Sequence, residues 1–194
     1  MRMSSIKRNT SETEVAIALC LDGTGIYEAQ VPIGFFEHML AQVSKHGFLD
    51  ITLVAKGDTN VDCHHLVEDT GIVFGKALAE ALGDKKGIRR YGSATIPMDD
   101  VLVMCAIDLS GRPHLHFDAT FTQPCLGDMD TELFREFFQA LSIHGGVNLH
   151  IKVLHGQNNH HIAEAIFKAF GRALSDAVSL ESRVSGVPST KGNL

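Results

Sequence analysis

The sequence predicts an α+β fold built from a duplicated half-domain. Each half is expected to form a mostly antiparallel sheet with helices on one face, and the helices of both halves pack together between the two sheets. Three observations predict this fold: an internal repeat, strand-like segments of β-branched residues, and helix-like segments with apolar residues three or four apart. The repeat divides the chain into residues 1–92, the first half-domain, and 93–194, the second half-domain with a C-terminal loop.

The repeat is clearest in two stretches that each begin with two adjacent histidines. Residues 64–78 read HHLVEDTGIVFGKAL and residues 160–174 read HHIAEAIFKAFGRAL, with seven of fifteen positions identical at an offset of 96 residues. The match extends upstream, where 36–40 corresponds to 134–138. An offset of half the chain is too long for a solenoid repeat and therefore indicates a duplicated half-domain.

Runs of β-branched and apolar residues bounded by turn residues predict the strands. The hairpin signal is clearest around Asp99 and Asp100, which separate two such runs. His114 and His116 alternate with apolar residues, so both histidines are expected on one face of a strand. The predicted strands cover residues 15–21, 50–54, 94–97, 101–109, 114–117 and 148–152.

Apolar residues at helical spacing predict four helices, at residues 34–46, at 131–144 and after each histidine pair. Asp130 or Thr131 is expected to cap the helix at 131–144. The tail that follows the last helix, residues 185–192, is predicted to be a loop.

Composition excludes several classes of protein. The chain has 194 residues, 44% of them hydrophobic, and a formal net charge of −6. The negative charge argues against a nucleic-acid binder, and no apolar run approaches the roughly 20 residues of a membrane span. Four scattered cysteines are typical of reduced thiols, and the N-terminus lacks the apolar core of a signal peptide. We therefore expect a cytoplasmic protein that binds neither nucleic acid nor membrane.

The two histidine pairs have the spacing of a metal site. On a helix, residues i and i+4 share a face, while residue i+1 is turned by about 100°. The second histidine of each pair therefore points away from the first, so that each helix would serve two different metals. The pairs expected to address one point are His64 with Glu68 and His160 with Glu164, with His65 and His161 turned elsewhere.

Two upstream residues extend the ligand set. His38 and its repeat partner Glu136 are natural further ligands. Neutral imidazole together with carboxylate suits Mn, Fe, Zn or Ni, and the lack of cysteine argues against a structural zinc site. A mixed set that leaves room for substrate favours an octahedral ion such as Mn²⁺, although spacing alone does not choose the metal.

Several longer motifs together carry a family resemblance. The chain resembles the imidazoleglycerol-phosphate dehydratases of histidine biosynthesis over nearly its whole length, in the form without an appended histidinol-phosphatase domain. The motifs are EHMLxQxxxHGxxD (37–50), HHxxED (64–69), DKKGIRRYG (84–92), DLSGRP (108–113), HHxxEAxFKAFxRAL (160–174) and PSTKG (188–192).

The resemblance implies two Mn²⁺ ions per active site, in a homo-oligomer of 24 subunits with active sites at subunit interfaces. The metal ligands that it implies are His38, His64, His65, Glu68, Glu136, His160, His161 and Glu164. At Glu136 the chain departs from the family pattern, because many relatives have histidine there. Glutamate can still bind Mn²⁺.

The implied reaction is loss of water from D-erythro-imidazole-glycerol phosphate to give imidazole-acetol phosphate. The proton to be removed lies on a carbon without a neighbouring carbonyl, so the imidazole ring has to accept the electrons. Two metals on the ring nitrogens would favour imidazolate, which expels the C3 hydroxyl and leaves a diazafulvene-like intermediate. Glu12, with Glu68 or Glu164 beside it, is expected to transfer the proton.

The rest of the substrate is a phosphate, which needs cationic partners. The resemblance assigns Arg90, Arg112, Lys168, Ser189, Thr190 and Lys191 to phosphate binding, and Gln42 and His46 to the pocket with Glu12. Alternatively, Lys168 is only the i+4 ion-pair partner of Glu164. The alternative functions are another metal-dependent lyase or hydrolase that uses metal-bound hydroxide, and a histidine-rich metal-binding protein.

Overall fold

Two four-stranded sheets enclose a layer of four helices. The computed structural model describes residues 1–192 and 194 of the chain. In chain order the elements are β1 (Met3–Asn9), β2 (Thr13–Cys20), β3 (Tyr27–Gln30), α1 (Gly34–Gly47), β4 (Asp50–Gly57), α2 (His64–Leu82), β5 (Tyr91–Met98), β6 (Val101–Asp108), β7 (His114–Asp118), β8 (Cys125–Leu126), β9 (Met129–Asp130), α3 (Leu133–Gly145), β10 (Asn148–His155) and α4 (Asn159–Val178).

The two sheets share one topology. The strand orders are β1-β2-β4-β3 and β5-β6-β10-β7. In each sheet the first three strands are antiparallel neighbours and the last strand pairs in parallel. The second sheet begins at Tyr91, next to the boundary predicted after residue 92. The predicted α+β fold, with its duplicated and mostly antiparallel halves, is confirmed.

The helices join the two halves through one core. Helix α2 packs on β1 and β2, α4 packs on β5 and β6, and the helices meet crosswise as α1 with α4 and α2 with α3. Buried apolar residues from both sheets and all four helices form a single cluster. Burial of each large apolar side chain in that cluster stabilises the fold by roughly 1.5–3 kcal/mol.

Glycines set the distance between the crossing helices, again in duplicate. A Cβ built on Gly75 of α2 would lie 2.7 Å from the carbonyl oxygen of Leu141 in α3. A Cβ built on Gly171 of α4 would lie 2.9 Å from the carbonyl oxygen of Val43 in α1. Both distances are shorter than ordinary van der Waals contact, so only glycine lets these backbones approach so closely.

One predicted detail is wrong, and the predicted strands do not include β1, β3 or the β8–β9 hairpin. Neither Asp130 nor Thr131 caps α3; the N-cap residue is Glu132, without a side-chain cap bond. Asp130 instead accepts a hydrogen bond from the thiol of Cys125 across the β8–β9 hairpin, which the sequence analysis did not predict. The hydroxyl of Thr131 donates to main-chain carbonyls in the same segment.

Two further observations concern the class of protein. The four cysteines carry free thiols. Among the described residues, the model contains no helix with the length and apolar character that crossing a membrane requires.

Candidate active site

Each histidine pair opens a helix whose first turn is fixed by a nearby side chain. The carboxylate of Asp62 accepts a hydrogen bond from the backbone N–H of His64 at 2.8 Å. The side chain of Asn158 accepts one from the N–H of His161 at 3.2 Å. The first N–H groups of a helix have no partner within the helix, so these acceptors stabilise its start and hold the histidines in place.

The predicted ligands on α1 and α4 come together. His160 Nε2 lies 3.2 Å from Glu164 Oε2, and His38 Nε2 lies 3.6 Å from the same oxygen. One ligand atom from each of the three residues falls within 4.8 Å of the others. The side chains of His38 and His160 are about half exposed, at 50% and 49%, whereas Glu164 is 11% exposed. The group therefore has an anchored carboxylate and two imidazoles that remain open to solvent.

A polar row continues this group along both helices. Gln42 lies one turn after His38, with its Nε2 3.5 Å from His38 Nε2. Lys168 lies one turn after Glu164, and its Nζ is 2.6 Å from Glu164 Oε1. Burial alone would raise the pKa of Glu164, but Lys168, His160 and His38 together hold it below its usual value. Glu164 is therefore an anion at neutral pH.

His46 completes the row on α1. Burial lowers the pKa of His46, and the positive charges of Lys168 and Arg172 lower it further. A neutral imidazole beside cationic side chains can donate or accept a hydrogen bond without adding charge to the site. The structure thus brings His46, Gln42 and Lys168 close to the predicted metal ligands.

The second histidine of each pair is bound to a carboxylate. His65 Nδ1 lies 3.1 Å from Asp58 Oδ2, and His161 Nδ1 lies 2.8 Å from Asp100 Oδ1. The hydrogen bond to Asp58 raises the pKa of His65. The pKa of Asp100 is strongly lowered, first by the hydrogen bond from the backbone N–H of Gln157 and then by those from His161 and from the backbone N–H groups of Asn158 and of Asp100 itself. Sequence reasoning missed both aspartates, which lie on loops outside the repeated motifs.

Glu12 lies beside His65 rather than beside Glu164. Its Oε2 is 3.7 Å from His65 Nδ1, and its side chain is 53% exposed. Ligand atoms of Glu12, Asp58 and His65 fall within 4.8 Å of one another, as a second group separate from the one on α1 and α4. Within one chain, the structure does not group Glu12 with the glutamates that were expected beside it.

The equivalent set on α2 and α3 is not assembled in the same way. Among residues 1–192 and 194, ligand atoms of Glu136, His64 and Glu68 do not form a group within 4.8 Å. Glu136 instead lies 3.6 Å from the guanidinium of Arg135. Glu68 is exposed on α2 and raises the pKa of His144, although burial lowers that pKa overall.

The predicted phosphate-binding residues lie in two places, with Lys168 on α4 and the others around the C-terminal loop. Arg90 donates to both oxygens of Asp108, at 2.7 and 3.1 Å, and to the carbonyl of Pro188 at 2.9 Å. Ser189 Oγ accepts from the N–H of Lys191 at 3.2 Å. Arg90 therefore ties the loop to the end of β6. The exposed members of the predicted set are Arg112, Thr190 and Lys191.

The residues fit a divalent metal ion. Two imidazole nitrogens and one carboxylate oxygen converge on α1 and α4, and such donors suit Mn²⁺. Two further histidines are fixed through Nδ1, which leaves Nε2 of His65 available to a metal, whereas Nε2 of His161 lies 3.5 Å from Asp99 Oδ2. Asp58 Oδ1 is buried and finds no hydrogen-bond partner among the described residues, which leaves a negative charge next to His65.

Comparison with known proteins decides the family. The model of the family described as imidazoleglycerol-phosphate dehydratase matches residues 31–174. The chain belongs to this family. The enzyme of that name from Ruminiclostridium cellulolyticum is 55% identical over 194 residues, with all of both chains covered. The one from Ruegeria pomeroyi is 56% identical over 195 residues, again with both chains fully covered.

Solved structures of the family share the fold. The crystal structure of imidazoleglycerol-phosphate dehydratase from Staphylococcus aureus has a TM-score of 0.84 and 38% identity, and the match covers 92% of this chain and 99% of that one. The IGPD from Pyrococcus furiosus has a TM-score of 0.84 and 34% identity, with 97% of this chain and all of that one covered. The family resemblance predicted from the motifs is confirmed.

One conspicuous member of the dehydratase motif is structural. Asp69, the last residue of HHxxED, is buried and accepts hydrogen bonds from the hydroxyl of Thr13 and, at 2.8 Å, from Arg8. It therefore fixes α2 against β1 and β2. The motif alone gives no sign that its glutamate is exposed while the adjacent aspartate is buried.

Proposed function

We propose that this chain removes water from D-erythro-imidazole-glycerol phosphate, giving imidazole-acetol phosphate, in histidine biosynthesis. The observation that carries the proposal is the group of His38, His160 and Glu164 in a chain of the dehydratase family. A histidine-rich metal buffer would not need the cationic residues around the C-terminal loop. A metal-dependent hydrolase would need the ion as a source of hydroxide, whereas this reaction needs a Lewis acid that stabilises the deprotonated imidazole ring.

The metal is proposed to be Mn²⁺, two ions per active site. His38, His160 and Glu164 would hold one ion, and His65 would offer Nε2 for a further bond. His161 would bind through Nε2 by exchanging its contact with Asp99 for the metal. Bound there, manganese would act as a Lewis acid that favours the deprotonated imidazole ring of the substrate. The remaining predicted ligands are His64, Glu68 and Glu136.

Proton transfer is proposed to fall to Glu12. Its carboxylate is exposed, and among the described residues its side-chain oxygens accept no hydrogen bond, so that it can take the proton from C2 of the substrate. Glu164 is a weaker candidate for this step, because Lys168 and His160 already occupy its oxygens. Glu68 remains a second candidate because it is exposed on α2.

The substrate phosphate is proposed to bind where the C-terminal loop of one subunit meets Lys168 on α4 of a neighbouring subunit. Lys168 has three donors and directs one to Glu164 and one to Met98 Sδ, so the third can bind a phosphate oxygen. Arg90 holds the loop with Ser189, Thr190 and Lys191 through Pro188 beside the start of β5, whereas Lys168 contacts Met98 at the other end of that strand. Arg112 adds an exposed guanidinium, suited to bidentate phosphate contact. Gln42 and His46 would line the pocket beside the metal ligands.

The active unit is proposed to be a homo-oligomer of 24 subunits in the cytoplasm, with sites between subunits. The single chain supports interfacial sites in two ways. It leaves His64, Glu68 and Glu136 ungrouped, and it separates Glu12 from the ligand group on α1 and α4. A neighbouring subunit can complete both sets.

The proposal is tested by a direct assay. The purified chain is supplied with Mn²⁺ and imidazole-glycerol phosphate, and the ketone product is measured by NMR against a sample treated with chelator. We expect imidazole-acetol phosphate to accumulate only with the metal present. Absence of the ketone with full metal occupancy would refute the dehydratase function.

A further inference from the structure

The two halves hold their second histidines with carboxylates from different places. His65 bonds through Nδ1 to Asp58, which immediately follows β4. His161 bonds through Nδ1 to Asp100, which lies in the β5–β6 turn. The histidines are equivalent in the repeat, but their partners are not.

The pairing register shows which residues are equivalent. Met3 pairs with Cys20 in β1–β2, and Tyr91 pairs with Asp108 in β5–β6, so the two hairpins match residue for residue. Glu12 immediately precedes β2, and Asp100 immediately precedes β6. Glu12 is therefore the counterpart of Asp100, the carboxylate that holds the histidine in the second half.

The counterpart of Asp58 cannot supply a carboxylate. A β-bulge in β10 between Val153 and His155 shifts its pairing with β6 by one residue, so Gly156 is the counterpart of Gly57 and Gln157 is the counterpart of Asp58. The surroundings agree, because a Cβ on Gly156 would lie 2.4 Å from Val101 Cγ2 and one on Gly57 would lie 3.2 Å from Cγ2 of Thr13, the counterpart of Val101. Gln157 carries an amide instead of a carboxylate, and its backbone N–H donates to Asp100. The second half thus depends on its turn aspartate, while the first half has an alternative.

The two turn carboxylates, Glu12 and Asp100, therefore differ in their hydrogen-bond partners. Asp100 accepts hydrogen bonds from the N–H groups of Gln157 and Asn158, at 2.9 and 3.1 Å, as well as contacting His161. Glu12 stays 3.7 Å from His65 Nδ1, beyond hydrogen-bond distance, while Asp58 takes that nitrogen at 3.1 Å.

We propose that Asp58 is a positioning residue that holds His65 through Nδ1 and thereby keeps Glu12 free to transfer a proton. The part that concerns Glu12 rests on the proposed dehydratase function, whereas the hold on His65 does not. A proton on Nδ1, shared with Asp58, leaves the lone pair on Nε2 for a metal. Because Asp58 Oδ1 is buried without a partner among the described residues, the bond to His65 is the main compensation for that charge.

The first test uses the metal-free protein. Histidine-labelled ¹⁵N magic-angle-spinning spectra report which nitrogen of His65 carries the proton, with His65→Gln for assignment. We expect the Nδ1–H form in wild type and in Asp58→Asn, whose amide oxygen still accepts, and a mixture in Asp58→Ala. Asp84→Ala, a change at an exposed aspartate in a distant loop, is the matched control and leaves the spectrum unchanged. An unaltered His65 signal in Asp58→Ala would overturn the proposal.

The second test measures Mn²⁺ affinity by the EPR signal of free Mn²⁺, without substrate. Loss of a carboxylate behind a ligating histidine typically weakens metal binding about ten- to hundredfold. We expect a loss of that size in Asp58→Ala, recovery to within a few-fold in Asp58→Asn, and wild-type binding in Asp84→Ala. Wild-type affinity in Asp58→Ala would contradict the role of Asp58.

The third test asks whether Glu12 is released. In Asp58→Ala, Glu12 is the remaining carboxylate closest to His65 Nδ1, so we expect it to take over that bond and kcat to fall at saturating Mn²⁺. Adding Glu12→Gln to Asp58→Ala should then lower kcat by less than Glu12→Gln lowers it in wild type. Fully multiplicative losses would refute this part. If wild type makes no ketone at all, the dehydratase function fails, while the spectra and the Mn²⁺ isotherms still decide the hold on His65.

Discussion

At the scale of single residues, the carboxylates of the site differ in the side chains that contact their oxygens. Glu164 is bound by Lys168 and His160, which keep it ionised as a ligand. Glu12 is exposed and lies next to His65 without a bond within hydrogen-bond distance. The roles that we propose, metal binding for Glu164 and proton transfer for Glu12, therefore rest on this difference in their neighbours.

The role of Glu12 predicts a specific kinetic defect. Glu12→Gln keeps the size of the side chain but cannot accept the C2 proton, so kcat should fall by about 10²–10⁴-fold. Mn²⁺ content, measured by elemental analysis, should stay at the wild-type level. Glu14→Gln, two residues along β2 and also exposed, is the control and should keep wild-type kcat. An unchanged kcat in Glu12→Gln would exclude it as the base.

The ligand group on α1 and α4 predicts a joint loss of metal and activity. His160→Ala removes one of its two imidazoles, so Mn²⁺ affinity should fall by more than the ten- to hundredfold typical of an outer-shell change. Circular dichroism should show a folded chain. His155→Ala, an exposed histidine at the end of β10, should leave both quantities unchanged. Full metal content in His160→Ala would refute the ligand role.

The site also predicts a pH dependence of metal binding. An imidazole must be neutral to bind a metal, and it ordinarily takes up a proton near pH 6.5. The bond to Asp58 raises the pKa of His65, so protons should compete with the metal there already above pH 6.5. The pKa of Glu164 is lowered, so it stays ionised in this range. Mn²⁺ affinity, measured by EPR, should fall as the pH drops from 8 to 6; a constant affinity would contradict histidine ligation.

At the scale of elements, duplication governs both the packing and the site. The glycines that let the helices cross recur at equivalent places on α2 and α4. Gly75→Ala or Gly171→Ala would press a methyl group against a backbone carbonyl, and overpacking of this kind costs about 1–3 kcal/mol. Thermal unfolding should show that loss for both variants. Gly186→Ala, where a Cβ would meet nothing within 4 Å, should be neutral, and equal stability of all three would contradict the close crossing.

The elements that periodicity specifies were predictable, and those that tertiary contacts specify were not. The histidine pairs and the apolar spacing after them predicted α2 and α4 because each helix buries a regular face. The β8–β9 hairpin was missed because its strands are two residues each, too short for a period. The cap of α3 was wrong because Asp130 bonds Cys125 within that hairpin.

The site shows the same division. The convergence of His160 with Glu164 follows from helix geometry, so the sequence could predict it. The bonds of Asp58 and Asp100 to the second histidines depend on how loops fold back onto helices, which spacing does not encode. The sequence places acidic residues near strands at both positions. Only the pairing register of the two sheets relates these aspartates to the second histidines.

At the scale of the whole molecule, the described residues of a single chain do not assemble all the ligands of the proposed di-metal site. Ligand atoms of Glu136, His64 and Glu68 do not converge within the described residues, so a neighbouring subunit is required if they bind metal. Light scattering should then give the mass of 24 copies of the 21.1 kDa chain, about 500 kDa, with Mn²⁺ present. Chelation should shift the mass lower, because metal ligands would link subunits. A monomer under both conditions would contradict interfacial sites.

The proposed manganese site is built from His38 on α1 and from His160 and Glu164 on α4. The most direct test is anomalous diffraction at the manganese edge from crystals grown with Mn²⁺. We expect a strong anomalous-difference peak within bonding distance of His38 Nε2, His160 Nε2 and a Glu164 oxygen. A fully occupied manganese position elsewhere, with these three side chains unbound, would contradict it.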